Sequence, residues 1–148
     1  GLGSPTQREL TFNGVYRLAP DGALSLASPD LVTPNGVALS PDEKRLYVAD
    51  QGPGEIRVFD VAPDGTLAKS RFFADGNMDG MKVDVEGNVY GAGHGGVWVF
   101  DPNGTRLGVI PVEQEPANLC FGGEDRRTLF ITARTGLYRV RLQVAGGP

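Results

Sequence analysis

VAPDGTL, residues 61–67, returns with small changes as LAPDGAL at 18–24 and as FDPNGTR at 100–106. The shared glycines, Gly22, Gly65 and Gly104, lie 43 and 39 residues apart. Proline presets φ and glycine accepts a positive φ, so each copy reads as a tight reversal of the chain. A second register repeats with the same period. SPDEKRLYVAD at 40–50, DVEGNVYGAG at 84–93 and GGEDRRTLFIT at 122–132 place Tyr47, Tyr90 and Phe130 at intervals of 43 and 40. Between these turn signals the runs are short, β-branched or aromatic, and often alternating, as in RLYVAD, IRVFDV, VWVF and LYRVRL. Such runs are strands, and helical periodicity is nearly absent.

Four antiparallel strands in a unit of about 40 residues are the mark of a β-propeller blade. The fold class is therefore all-β, a β-propeller of four-stranded antiparallel blades. The repeat places the two outer strands of one blade at 14–27, whole blades at 34–74 and 78–110, and three strands of a last blade at 117–142, about three to three and a half blades. A stack that opens and closes within a blade has unpaired edges and an uncovered apolar face at each end. A complementary N-terminal half of the propeller, or a second copy of the chain, is the partner this predicts.

Composition narrows the function. The 22 glycines and 11 prolines are spread as punctuation along 148 residues, which excludes a disordered tract. The net charge of -4 has acids and bases interspersed, with no basic face for nucleic acid and no polybasic segment for a membrane. No apolar run approaches the ~20 residues of a spanning helix, and residues 1–15 lack the pattern of a secretory signal. A soluble, cytoplasmic protein is expected, with a secreted or periplasmic location as the alternative. Cys120, the one cysteine, excludes an internal disulfide and a cysteine-rich zinc site. Its apolar neighbours in NLCFGG predict a buried, inert side chain.

Residues just before the innermost strand of each blade converge on the channel axis. Here they are Asn35 in TPNGVALS, Asp79 in NMDGMKVD and Asn118 in PANLCFGG, spaced by 44 and 39 residues. One carboxylate and two amides offer oxygen donors, which suit a hard cation such as Ca²⁺ or Mg²⁺. Asn-Gly and Asp-Gly are also common turn pairs, so both a ligand set and plain loop geometry fit the spacing.

The ordered set Pro-Asn-Gly, Asp-Gly-Met-Lys-Val-Asp and Asn-Leu-Cys-Phe-Gly-Gly resembles the C-terminal half of the senescence marker protein / gluconolactonase / luciferin-regenerating enzyme family, which includes regucalcin. The likeness runs through essentially the whole chain. It implies a six-bladed ring with one divalent cation in the channel, Ca²⁺ first, with Mg²⁺, Mn²⁺ or Zn²⁺ as alternatives. By motif, Asn35 and Asp79 would be metal ligands, and Asp79 would also be the catalytic candidate as general base. The implied activity is hydrolysis of a sugar lactone, a small-molecule substrate, by a gluconolactonase-like enzyme. The family's first-blade glutamate and its Arg-x-Asn-Asp and Asp-Pro-Pro-Tyr-like segments have no counterpart in these residues, so activity is expected only once the propeller is completed.

Asn118, His94 in GAGHGGVW and Gln51 after RLYVAD are the substrate-binding candidates at the channel rim, with Asp50 beside Gln51 a weaker one. Surface turn positions are the competing reading for His94. Asp60, Asp84 and Asp101 are expected to bond turn backbone, and Tyr47, Phe59, Trp98 and Phe100 to pack between blades. A noncatalytic propeller that binds calcium or a protein on its face is the alternative to the enzyme. Trp-Asp strand ends are absent, which argues against a WD40-type scaffold.

Overall fold

A computed structural model describes residues 10–147, and its regular elements are all strands. β1 (Asn13–Leu18) and β2 (Leu24–Leu31) form a two-stranded sheet. β3 (Pro34–Leu39), β4 (Arg45–Asp50), β5 (Glu55–Val61) and β6 (Leu67–Asp75) form the next, and β7 (Met81–Val83), β8 (Val89–Gly93), β9 (Gly96–Phe100) and β10 (Arg106–Pro111) a third. β11 (Pro116–Gly122), β12 (Thr128–Ala133) and β13 (Gly136–Arg141) complete the series. Every sheet is an antiparallel meander in chain order, and the architecture is that of propeller blades. Among the described residues no helix is long and apolar enough to cross a membrane.

The repeated reversals are built alike. Gly22, Gly65 and Gly104 have φ of 86°, 83° and 89°, a region that a side chain disfavours. Asp64 Oδ1 accepts from the Thr66 amide at 2.9 Å, closing its turn. In the third copy Asn103 stands at the aspartate's place, and Asp101, two residues earlier, accepts from Asn103 and Thr105 amides instead. Asp84 behaves similarly after β7, taking the amides of Glu86 and Asn88 at 2.9 Å. Asp60 departs from the sequence expectation. It lies inside β5 rather than at a turn, and pairs with Arg71 at 2.9 Å and Lys69 at 3.6 Å across to β6.

Alternation within each strand sends side chains to both faces of its sheet, and both faces are used. From β4, Tyr47 and Ala49 join Met81, Val83, Val89 and Phe100 of the following sheet, whereas Val48 packs with Leu31 and Phe59 on the opposite side. Tyr90 and Ala92 of β8 meet Leu119, Phe121 and Ile131 of the last sheet. Edge-to-face rings tie these layers together: Tyr47 to Phe73 at 4.8 Å, Phe73 to Phe100 at 6.3 Å and Tyr90 to Phe121 at 5.3 Å. Trp98 is only half-buried, with Arg106 stacked 4.6 Å above its ring.

A short C-terminal segment crosses the ends of two innermost strands. The Val85 amide donates to Ala145 O at 3.0 Å, the Gly147 amide to Val83 O at 2.9 Å, and the Gly146 amide to Arg126 O at 2.9 Å. Gly146 lies against the Phe121 ring, where a Cβ would overlap ring atoms.

Phe100, 1% exposed, should cost about 3–5 kcal/mol when truncated to alanine, read from the urea midpoint at unchanged slope. A cost near that of an exposed site would refute the inter-sheet cluster. Buried Tyr90 donates to Asp84 Oδ2 at 3.1 Å, and its phenol is pushed well above the ordinary 10.0, first by burial and then by the Asp84 charge. The folded chain thus holds this proton more tightly than the unfolded one. Its contribution to stability is complete below pH 10 and is lost as pH rises beyond it. Tyr90→Phe should flatten that alkaline decline, measured as denaturation midpoints between neutral and alkaline pH; an unchanged slope would show the decline to come from elsewhere.

Candidate functional site

Three innermost strands, β3, β7 and β11, start side by side, and glycine makes this possible. A Cβ on Gly36 would overlap the Asp79 carbonyl oxygen, and one on Gly80 would overlap the Asn118 amide oxygen, with Asn118 Cγ at 2.6 Å. The Gly80 amide also donates to Ala117 O at 2.9 Å. Asn35-Gly36, Asp79-Gly80 and Asn118 are therefore successive neighbours around one end of the strands. Asn35 and Asn118 are exposed and Asp79 is half-buried.

Local chemistry holds each position. Asp50, 3% exposed at the end of β4, accepts from the amides of Val32 at 2.8 Å, Thr33 at 2.6 Å and Gly52 at 3.3 Å. These bonds pin the connection that leads into Asn35. Asp50 thus belongs beneath the rim rather than on it. A carboxylate that closes the buried run of RLYVAD and precedes Gly-Pro-Gly is the sequence signal for this role. Asp79 is held by its backbone, its amide donating to Ala92 O at 2.8 Å while the Ala92 amide donates to Gly80 O at 2.9 Å. Directly before it, Met78 is fully buried and packs its thioether over the bare backbone of Gly91 and Gly93. NMDG therefore works as an anchor followed by a displayed acid, a role the alternating pattern alone did not reveal.

The remaining candidates distribute as follows. Gln51 Nε2 donates to Met78 O at 3.4 Å, which brings it beside the Asp79 segment. Asn118 Oδ1 accepts from the Leu119 amide at 2.8 Å, so one lone pair of that amide is already used. His94 is exposed in the β8–β9 turn, with Nδ1 2.7 Å from Glu115 Oε1, and its carbonyl accepts from Trp98 Nε1 at 2.9 Å. Cys120 corrects the sequence expectation: it is exposed. In β11 the flanking Leu119 and Phe121 take the face toward Tyr90, which turns Cys120 to the opposite face.

Among the described residues no three His, Cys, Asp or Glu side chains gather into a cluster. The donors at the strand mouths are instead one carboxylate and amide oxygens, a set of the kind that a hard divalent cation takes, though fewer than its full shell. Among the described residues, the side chains of Asn35 and Asp79 make no hydrogen bond or ion pair, which leaves their oxygens available.

Fold and site together define a β-propeller with a polar cluster where its innermost strands begin. Residues 2–135 match the SMP-30/gluconolactonase/LRE-like region, and the chain belongs to that family. It is 40% identical over 154 residues to the gluconolactonase of Zymomonas mobilis, covering 94% of this chain and 43% of that protein. Among solved structures it is similar to a gluconolactonase from Xanthomonas campestris, with TM-score 0.85 and 41% identity over 93% of this chain and 47% of the other. A calcium-binding regucalcin from Agrobacterium tumefaciens gives TM-score 0.79 and 25% identity, covering 91% and 54%. The chain spans about half the length of these relatives.

Met78→Ala should destabilise the protein by about 2–5 kcal/mol in urea unfolding, because the void over Gly91 and Gly93 has no side chain to refill it. A cost below about 1 kcal/mol would mean that Met78 does not anchor the segment.

Proposed function

We propose that this chain supplies the C-terminal half of a divalent-metal-dependent sugar lactonase and part of its metal site. The observation that carries the reading is the apposition of Asn35, Asp79 and Asn118 at one end of three neighbouring strands, with the side-chain oxygens of Asn35 and Asp79 unengaged among the described residues. The gluconolactonases among its relatives support the substrate class. Asn35 and Asp79 would hold the cation, Ca²⁺ before Mg²⁺, Mn²⁺ or Zn²⁺, with the remaining oxygens coming from the rest of the ring. Bound there, a divalent cation polarises a carbonyl oxygen and lowers the pKa of water.

Hydrolysis then asks little of the side chains. Water adds to the ester carbonyl of the lactone, the bond from the acyl carbon to the ring oxygen breaks, and that oxygen leaves as a hydroxyl carrying one proton from the water. The acid so formed ionises to the aldonate. Asp79 serves first as a ligand. Its second role is to accept the water proton, which is weaker because a nearby cation depresses carboxylate basicity. Asn118, Gln51 and His94 would contact the sugar hydroxyls, Glu115 fixing which imidazole nitrogen faces outward.

Completion of the ring is part of the proposal. β1 and β2 expose Tyr16, Leu18, Leu24 and Leu26, and β13 exposes Leu137, apolar surface suited to further blades. A complementary N-terminal half of the propeller is the first partner and a second copy of the chain the other. Sedimentation of the isolated chain should show self-association, and mixing with the complementary half should give one compact species; a stable compact monomer would overturn this part.

The deciding experiment is gluconolactone hydrolysis by the completed propeller with and without a chelator. Chelation should abolish turnover, and Asp79→Ala should lower kcat/KM by more than about 100-fold while far-ultraviolet circular dichroism stays unchanged. Full activity in that variant rules the mechanism out. Cation binding without turnover would favour a noncatalytic calcium-binding scaffold.

A further inference from the structure

Lys82 has no place in the chemistry just described, yet it lies in β7, three residues after Asp79. β7 sends Met81 and Val83 into the apolar cluster with Tyr47 and turns half-buried Lys82 the other way. There it shares a concavity of about 320 Å³ with Asn118, Cys120 and Thr132. Lys82 thus meets, in one space, the mouth residue that touches Gly80. The Nζ donates to Met81 O at 3.0 Å, and among the described residues no carboxylate pairs with it. A second concavity adjoins Lys82 and Cys120 on the other side; there the β3 neighbour is Ala38, short and uncharged, and Glu43 is the one carboxylate in its lining.

The C-terminal segment crosses the far end of the strands, Gly147 bonding Val83 O at 2.9 Å, and Arg126 donating to the Gly147 carbonyl. Gly147 and Arg126 line the same wall as Lys82. From the mouth into β7 the order of charge is therefore an acid just before the strand and a cation about 10 Å further along the backbone. A half-buried ammonium without a counter-charge is best satisfied by an anion that arrives with the ligand.

We propose that Lys82 is a specificity-determining residue that selects lactones bearing an anionic group, carboxylate or phosphate, remote from the ring ester. This rests on the lactonase reading above for the reaction, though the ammonium's need for an anion does not. With the ester carbonyl at the Asp79 end, the remote group of the sugar chain lies deeper, toward Lys82, and the charge order of the strand matches that of the substrate. Asn118, between them, orients the hydroxyls in the middle of the chain.

The test uses the completed propeller with three substrates: neutral gluconolactone, glucarolactone for the carboxylate and phosphogluconolactone for the phosphate. At least one anionic lactone should exceed gluconolactone in kcat/KM by about tenfold or more, and the larger value identifies the anion. Lys82→Met should erase that ratio while changing gluconolactone turnover less than about twofold, and Lys82→Arg should keep most of it. Calorimetric titration with glucarate and gluconate gives a readout independent of turnover, in which glucarate binds wild type about tenfold more tightly and Lys82→Met equalises the two. Preference for neutral gluconolactone, or an equal loss on all three substrates in Lys82→Met, overturns the proposal. Failure to hydrolyse any of the three counts against the lactonase reading instead, and the titration then decides Lys82 alone, for it if glucarate discrimination depends on Lys82 and against it otherwise.

Discussion

Tyr47, Phe73 and Phe100 meet in a space that belongs to no single sheet. Each sheet of this chain is too narrow to bury a core by itself, and its alternating side chains point to two faces that must both be covered. The solution is a stack in which every interior sheet lends one face to the blade before it and the other to the blade after it. Val48 and Tyr47, adjacent in β4, end in different clusters for this reason. Once the sheets are stacked, their first strands are forced together at the narrow side, and everything of functional interest follows from that crowding.

Crowding explains the glycines at the strand mouths better than turn chemistry does. Gly36 and Gly80 are not in left-handed conformations; they are small because a neighbouring chain passes where a Cβ would stand. The same contact that demands glycine sets Asp79 beside Asn35 on one side and Asn118 on the other. Two supports keep the acid from relaxing away. Met78 fills the space over Gly91 and Gly93 from below, and Asp50 ties down the loop that delivers the neighbouring strand. The site is thus a by-product of packing, stiffened by residues that carry none of the proposed chemistry.

Buried acids in this chain divide by what surrounds them. Asp50 and Asp84 are almost fully enclosed and spend their oxygens on local donors, Asp50 on backbone amides and Asp84 on two backbone amides and the Asn88 and Tyr90 side chains, which suits a structural anchor. Asp79 is half-buried and among the described residues spends none, although it stands only five residues before Asp84. An acid whose lone pairs remain free beside two amide side chains is a different object from one saturated by its own turn, and proximity in sequence says nothing about which is which.

Much of the architecture is legible in the sequence. Two registers of repetition, Pro-Asp-Gly reversals and Tyr47, Tyr90 and Phe130 at equal intervals, are local signals, because turn geometry and strand alternation depend on residues close in the chain. They sufficed for four-stranded antiparallel sheets, and the separate motifs Pro-Asn-Gly, Asp-Gly-Met-Lys-Val-Asp and Asn-Leu-Cys-Phe-Gly-Gly carried the family resemblance. What lay outside their reach was the direction of individual side chains. Cys120 looks apolar in NLCFGG, yet strand parity turns it away from the Leu119 and Phe121 cluster; Asp60 resembles a turn acid, yet reaches across to Arg71. Asp50 and Met78 gained their roles, and Lys82 its unpaired position, from groups 13 to 50 residues away, and no local pattern encodes a contact between strands that meet only when the blades stack.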